Sequence, residues 1–198
     1  MKTSNKQKLQ TEKLVLMALL TALVAVLQLL GTFTAFFGPF STAVALIPIV
    51  IGAAICGVVA GAWLGFVFGV VVLISGGANL FLAVDVLGTL VTVLVKGTAC
   101  GLVAALVYRI IEKFNRYTAV IVAAIACPVV NTGIFMLGCI VFFMDDVPQL
   151  AAALESSATG VALFWTLAMA NFLFELGMNI VLSPAILRII NIKKKNKN

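Results

Sequence analysis

Between Thr159 and Leu187 the chain runs with a single charge, and that charge is a carboxylate, Glu175, flanked at four-residue spacing by Asn171 and Asn179. A run of this length can cross a bilayer, which takes roughly 20 apolar residues per helical crossing. On a helix, residues four apart lie on one face, so two amides and a carboxylate form a polar stripe on an otherwise apolar rod. In hydrocarbon such groups are costly unless they turn inward and meet partners. The stripe must therefore look into a protein interior or a cavity. Lys96 is the only basic residue deep inside another apolar segment, which makes it the strongest candidate partner for Glu175.

The rest of the chain can supply the surrounding helices. Of its 198 residues 63% are hydrophobic and 10% charged, against about one half and one quarter in a soluble domain. The sequence predicts an all-α membrane protein, a bundle of six transmembrane helices forming one domain over residues 1–198. The spans are expected at about Leu14–Leu30, Ala43–Cys56, Gly61–Ser75, Val84–Tyr108, Thr118–Phe143 and Thr159–Leu187, between polar tails at residues 1–12 and 192–198. Gly31 to Thr42 is uncharged, aromatic and broken by Gly38 and Pro39, which suits a loop dipping into the membrane surface. Pro128 is expected to kink the fifth span. Gly57, Gly61, Gly65 and Gly69 recur every fourth residue, a spacing that lets two helix backbones approach closely.

The charge of +6 sits at helix ends: Lys2 to Lys13 before the first span, Arg109, Lys113 and Arg116 in one short loop, and Arg188 to Lys197 after the last. Cytoplasmic ends carry such clusters. The sequence therefore predicts a multi-pass protein of the cell membrane with both termini cytoplasmic and with the loops near Phe37, Gly77 and Asp146 outside. The same distribution makes a nucleic-acid partner unnecessary. The basic N-terminal flank is shared by signal peptides, but the apolar stretch after it is too long for one, so it is expected to stay as the first span. There is no histidine, and Cys56, Cys100, Cys127 and Cys139 lack metal spacing. A lone carboxylate without a nucleophile or a metal set implies no reaction, so neither enzyme activity nor a cofactor is expected.

Several residues could carry binding. Lys96 and Glu175 lie at similar depth, either as a structural ion pair or as walls of a pocket for a polar small molecule. Asn131 follows Pro128 in Pro-Val-Val-Asn, where it either satisfies carbonyls freed by the proline or offers a ligand both a donor and an acceptor. Asn171 is similar, whereas Asn179 lies deeper and suits packing. Trp165, beside Phe164, is either an interfacial belt residue or a stacking surface. Asp85 and Asn79 either line an entrance or are solvated. Ala18 and Ala22 in the first span make a flat strip for another helix, from this chain or from a separate subunit.

Taken together and in order, these patterns resemble the substrate-binding S components of energy-coupling factor (ECF) vitamin transporters. Ala18-x-x-x-Ala22 is similar to the motif by which those subunits dock on a shared transmembrane T component. Pro48 to Gly69 resembles the family's second and third helices; Lys96-Gly97 with Gly101, Pro128 to Phe135, and Asn171 to Asn179 with Pro184 resemble the fourth to sixth. The general type is closest to the riboflavin, pantothenate and pyridoxine-like members. The resemblance implies high-affinity binding of a vitamin from the outer side, in a pocket formed by outer loops and helices four to six. It also implies association with the T component and two cytosolic ATPases. The chain has no Gly-x-x-x-x-Gly-Lys-Ser/Thr phosphate loop of its own. The rival expectation is a stand-alone proton-coupled secondary transporter using Glu175.

Overall fold

The structure, a computed structural model, describes residues 2–34 and 43–195. It is all-helical, with no strand among the described residues. Among the described residues, four helices are long and apolar enough to cross a membrane. They are α1 (Lys2–Thr34), α5 (Val86–Ile111), α6 (Arg116–Phe142) and α8 (Val161–Lys195). Two further apolar helices are shorter: α2 (Leu46–Cys56, 11 residues), entered through a 3-10 turn at Ala43–Ala45, and α3 (Val58–Ile74, 17 residues). Short helices α4 (Asn79–Leu82) and α7 (Val147–Ala153) sit in the connections before α5 and α8.

At the two ends of the chain the helices run further than the expected spans, while α2, α5 and α8 begin two or three residues later than expected. The α1 helix begins at Lys2 and continues through Thr34, so the first residues of the expected loop are helical; the remainder of that loop, 35–42, lies outside the described residues. The α8 helix carries on to Lys195 through the basic segment. Lysine, glutamine and leucine are good helix formers, and nothing in either tail interrupts a helix already started. The α6 helix passes through Pro128. Its start is fixed by Asn115, whose side-chain oxygen accepts from the N–H groups of Tyr117 (2.8 Å) and Thr118 (3.3 Å); such a cap satisfies first-turn donors.

The α2 helix, short for a full crossing, is enclosed by its neighbours. Eight of its residues, from Leu46 to Ala54, are buried, and it packs on α1, α3, α5, α6 and α8. A helix apolar all round belongs in a core. It ends at Gly57, whose φ of 98° and ψ of −168° suit glycine alone, and α3 starts at the next residue. The α3 helix then lies directly against α5. A Cβ on Gly61 would strike the carbonyl of Gly101, and one on Gly65 the carbonyl of Gly97; Gly69 faces Val93 and Leu94. Three of the four periodic glycines therefore form a backbone-to-backbone seam, while Gly57 serves the break.

The three basic clusters gather at one end of the bundle. There the Arg116 guanidinium donates to Asn191 Oδ1 (3.2 Å), tying the start of α6 to the end of α8, and pairs with Glu112 at 3.6 Å. At the opposite end the Thr32 hydroxyl donates to Ser75 Oγ (3.0 Å), joining the end of α1 to the end of α3. A large apolar cluster built on α2 fills the centre, and a smaller one formed by Cys139, Phe143, Val147, Leu150, Leu163 and Phe164 fills the end away from the basic clusters.

Candidate functional site

Where the two apolar clusters meet, packing gives way to a cavity of about 330 Å³. It is framed by α1, α3, α5, α6 and α8 and bounded by the Gly77–Ala78 turn and Phe81 of α4. It therefore lies in the half of the bundle remote from the basic ends. Four residues singled out from the sequence line it: Lys96, Asn131, Asn171 and Glu175. Each comes from the middle of a long helix, which holds its Cα rigidly.

Glu175 is fully buried. Its carboxylate accepts from Asn171 Nδ2 (2.8 Å), one turn earlier on the same face, and from Asn131 Nδ2 across the α6–α8 contact (3.2 Å to one oxygen, 3.5 Å to the other). The stripe of amides and carboxylate does turn inward, and α6 supplies the partner. The expected Lys96–Glu175 ion pair is not formed: among the described residues the two are not in salt-bridge contact. The Lys96 ammonium instead sits over the Phe135 ring, 5.0 Å from its centroid, within the range of a cation–π attraction. Similar depth in the membrane did not imply contact, because Lys96 approaches from α5 toward α6 while Glu175 is turned to the α6 amide.

The other candidates stand apart from the cavity. Asn179 is buried and donates to the Glu175 main-chain oxygen (2.8 Å), a packing bond within α8. Asp85 precedes α5, where its carbonyl accepts the Thr89 hydroxyl. Asn79 is exposed at the start of α4. Trp165 is 54% exposed, whereas its neighbour Phe164, expected at the interface with it, is buried in the smaller cluster. Ala18 and Ala22 are exposed along α1, on the bundle surface rather than inside it.

The cavity also has walls that the sequence reading missed. Gln28 of α1 is 1% exposed and Thr92 of α5 is 4% exposed, and both face it. Among the described residues, both side-chain amide atoms of Gln28, the Thr92 hydroxyl, Asn131 Oδ1 and Asn179 Oδ1 are buried without a hydrogen-bond partner. Buried polar atoms are nearly always paired, so the gathering of four of these five, on Gln28, Thr92 and Asn131, around one cavity marks a place built to meet something polar. Gln28 had a readable signal: it is the sole amide in the apolar run from Leu14 to Leu30. The opposite wall is aromatic. Phe81 meets Phe135 and Phe143 edge to face, with centroids 5.5 and 5.2 Å apart. The resemblance implied a pocket of outer loops and helices four to six; this cavity also has walls from α1 and α3.

An apolar cavity of this size with a few converging polar groups is the usual form of a small-molecule site. The family model described as "ECF transporter, substrate-specific component" matches residues 12–187. No curated protein and no solved structure matches the chain. The family match covers all of α2 to α6, most of α1 and α8 and the whole cavity wall, and with it the chain belongs to the substrate-specific components of ECF transporters, membrane subunits that bind cargo for transport and are not enzymes.

Proposed function

We propose that this subunit binds a water-soluble vitamin, or a precursor of one, with high affinity in the cavity between Gln28, Lys96, Asn131 and Glu175, and passes it to a T component driven by two cytosolic ATPases. In this reading α1, α2, α3, α5, α6 and α8 make six passes, with α2 sheltered from lipid by its neighbours. Both termini and the turn at Lys113 lie in the cytoplasm, because all three basic clusters share one end and cytoplasmic ends carry the positive charge. The cavity then belongs to the outer half, where cargo arrives. The observation that carries this reading is the unmet hydrogen-bonding capacity of buried side chains around one cavity. An ion-pair scaffold would have satisfied those groups internally.

The test is to purify the protein, denature it and identify released small molecules by mass spectrometry. One dominant vitamin-like compound is expected, and adding it back raises thermal stability because it binds only the folded state. Failure to retain any small molecule, together with no stabilisation by any water-soluble vitamin, removes the proposal. Uptake by the chain alone under a proton gradient replaces it with proton-coupled transport.

A further inference from the structure

We propose that the cavity takes an organic anion, a carboxylate that also carries N–H or O–H donors, with its charged end held between Lys96 and Thr92 of α5; this rests on the cavity being the substrate site. The hydrogen-bonding positions already in use select such a ligand. Glu175 accepts from Asn131 and Asn171, so its charge is met by two amide donors fixed on rigid helices. A cationic ligand would have to displace those donors and approach Lys96 as well. Lys96 is held less directly: Glu175 attracts it through space, but the two make no salt bridge. Its ammonium has three donors and no lone pair, and its neighbour is a ring face, which attracts a cation but accepts no strong hydrogen bond. Thr92 stands one turn before Lys96 on α5, and its hydroxyl is unpaired at 4% exposure. An ammonium and a hydroxyl one turn apart on one helix face can meet the two oxygens of a carboxylate.

The amides then specify the rest of the ligand. Because Asn131 Nδ2 faces the carboxylate of Glu175, its Oδ1 is left as an acceptor with no partner. Glu175 thus acts as a positioning residue: it decides which end of the Asn131 amide the cavity presents. A ligand must bring a donor to that oxygen. Gln28, with both amide atoms unpaired on the facing helix, offers one donor and one acceptor. The Phe81, Phe135 and Phe143 edges enclose the remaining apolar part. A wholly neutral, apolar guest would leave all of these groups unpaired, the situation in which polar sites discriminate most strongly.

The experiment uses the full-length protein in detergent and pairs of probes that differ in one carboxylate and keep N–H or O–H donors: pantothenate with pantothenol, and biotin with biotinamide. Thermal shift and calorimetry are expected to show one acid binding at least tenfold more tightly than its neutral twin. Lys96→Gln should weaken that acid about ten- to hundredfold, the worth of a hydrogen bond to a charged group, and leave the neutral twin within about twofold. Lys96→Arg should recover part of the loss. Equal binding of acid and twin, tighter binding of thiamine, or a co-purified compound that is neutral or cationic overturns the anion assignment while the vitamin-binding reading stands. If no probe binds and nothing small co-purifies, both readings fall. The wild-type comparison of each pair decides even if a Lys96 variant does not fold.

Discussion

The Asn131–Glu175 contact can be tested by a change of sign. In the wild-type protein Asn131→Leu removes one of two amide donors from a fully buried carboxylate. A hydrogen bond to a charged group is worth about 1.5–3 kcal/mol, so the substitution should destabilise by that amount. In a Glu175→Leu background the same substitution meets a different situation. Asn131 Nδ2 has lost its acceptor and Oδ1 had none, so the whole amide is buried and unpaired, at a cost of about 1–3 kcal/mol. Replacing it with leucine now relieves that cost. Asn131→Leu should therefore destabilise one background and stabilise the other, a coupling of at least about 2 kcal/mol. Asn171 is present in both backgrounds, so its own lost bond cancels. The assay is reversible unfolding of the ligand-free protein in mixed micelles for the four members of the cycle. If Asn131→Leu costs the same in both backgrounds to within about 0.5 kcal/mol, the scatter expected of independent sites, the two side chains do not interact as described.

Three further outcomes follow from the same geometry. Gln28→Leu should raise the stability of the ligand-free protein by about 1–3 kcal/mol, since it removes an unpaired buried amide, and should weaken ligand binding in the same preparation; thermal melts with and without ligand read both. Gly65→Ala should destabilise by about 1–3 kcal/mol through overpacking against the Gly97 carbonyl, whereas Gly133→Ala, with nothing within 4 Å of the new methyl group, should be neutral or stabilise by up to about 1 kcal/mol; the difference is measured by unfolding both side by side. Ala18→Trp combined with Ala22→Trp should abolish uptake in cells and leave ligand binding by the purified subunit unchanged, because both residues lie on the exposed face of α1; unchanged uptake removes the docking role.

What was legible in the sequence was what one dimension fixes. Charge marked the helix ends, because lysines and arginines cannot sit in hydrocarbon, and all three basic clusters do share one end of the bundle. Four-residue spacing placed Asn171 and Glu175 on one face, since that relation is internal to a helix. Depth is also readable along the chain, and Lys96 and Glu175 were placed at matching depth. Direction around the bundle axis is not readable. It sent Lys96 to Phe135 and gave Glu175 to Asn131. It also separated Phe164 from Trp165, neighbours in sequence that a helix points roughly 100° apart: one is buried and the other is 54% exposed. Asn79 and Asp85 lie off the cavity wall for a related reason, because connections carry polar residues whether or not a site lies beneath them.

The bundle has apolar material enough to close without a cavity. The α3–α5 glycine seam and the all-round apolar α2 pack one half tightly, and the Phe143–Phe164 cluster packs the far end. Val93 and Phe68 belong to one cluster, Phe135 and Leu167 pack on the other, and all four border the gap between them. If Gln28, Thr92, Lys96, Asn131 and Glu175 were leucine or methionine, these two clusters could join into one core, and buried polar groups would no longer have to be kept apart from it. A mutation from polar to apolar at Gln28 or Thr92, whose polar atoms meet no partner, should therefore raise stability and weaken binding, whereas Asn131→Leu in the wild-type protein, which takes a donor from Glu175, should lower both. That opposition is how the physical role of each polar residue can be separated, since the fold itself gains nothing from leaving buried polar atoms unpaired around the cavity.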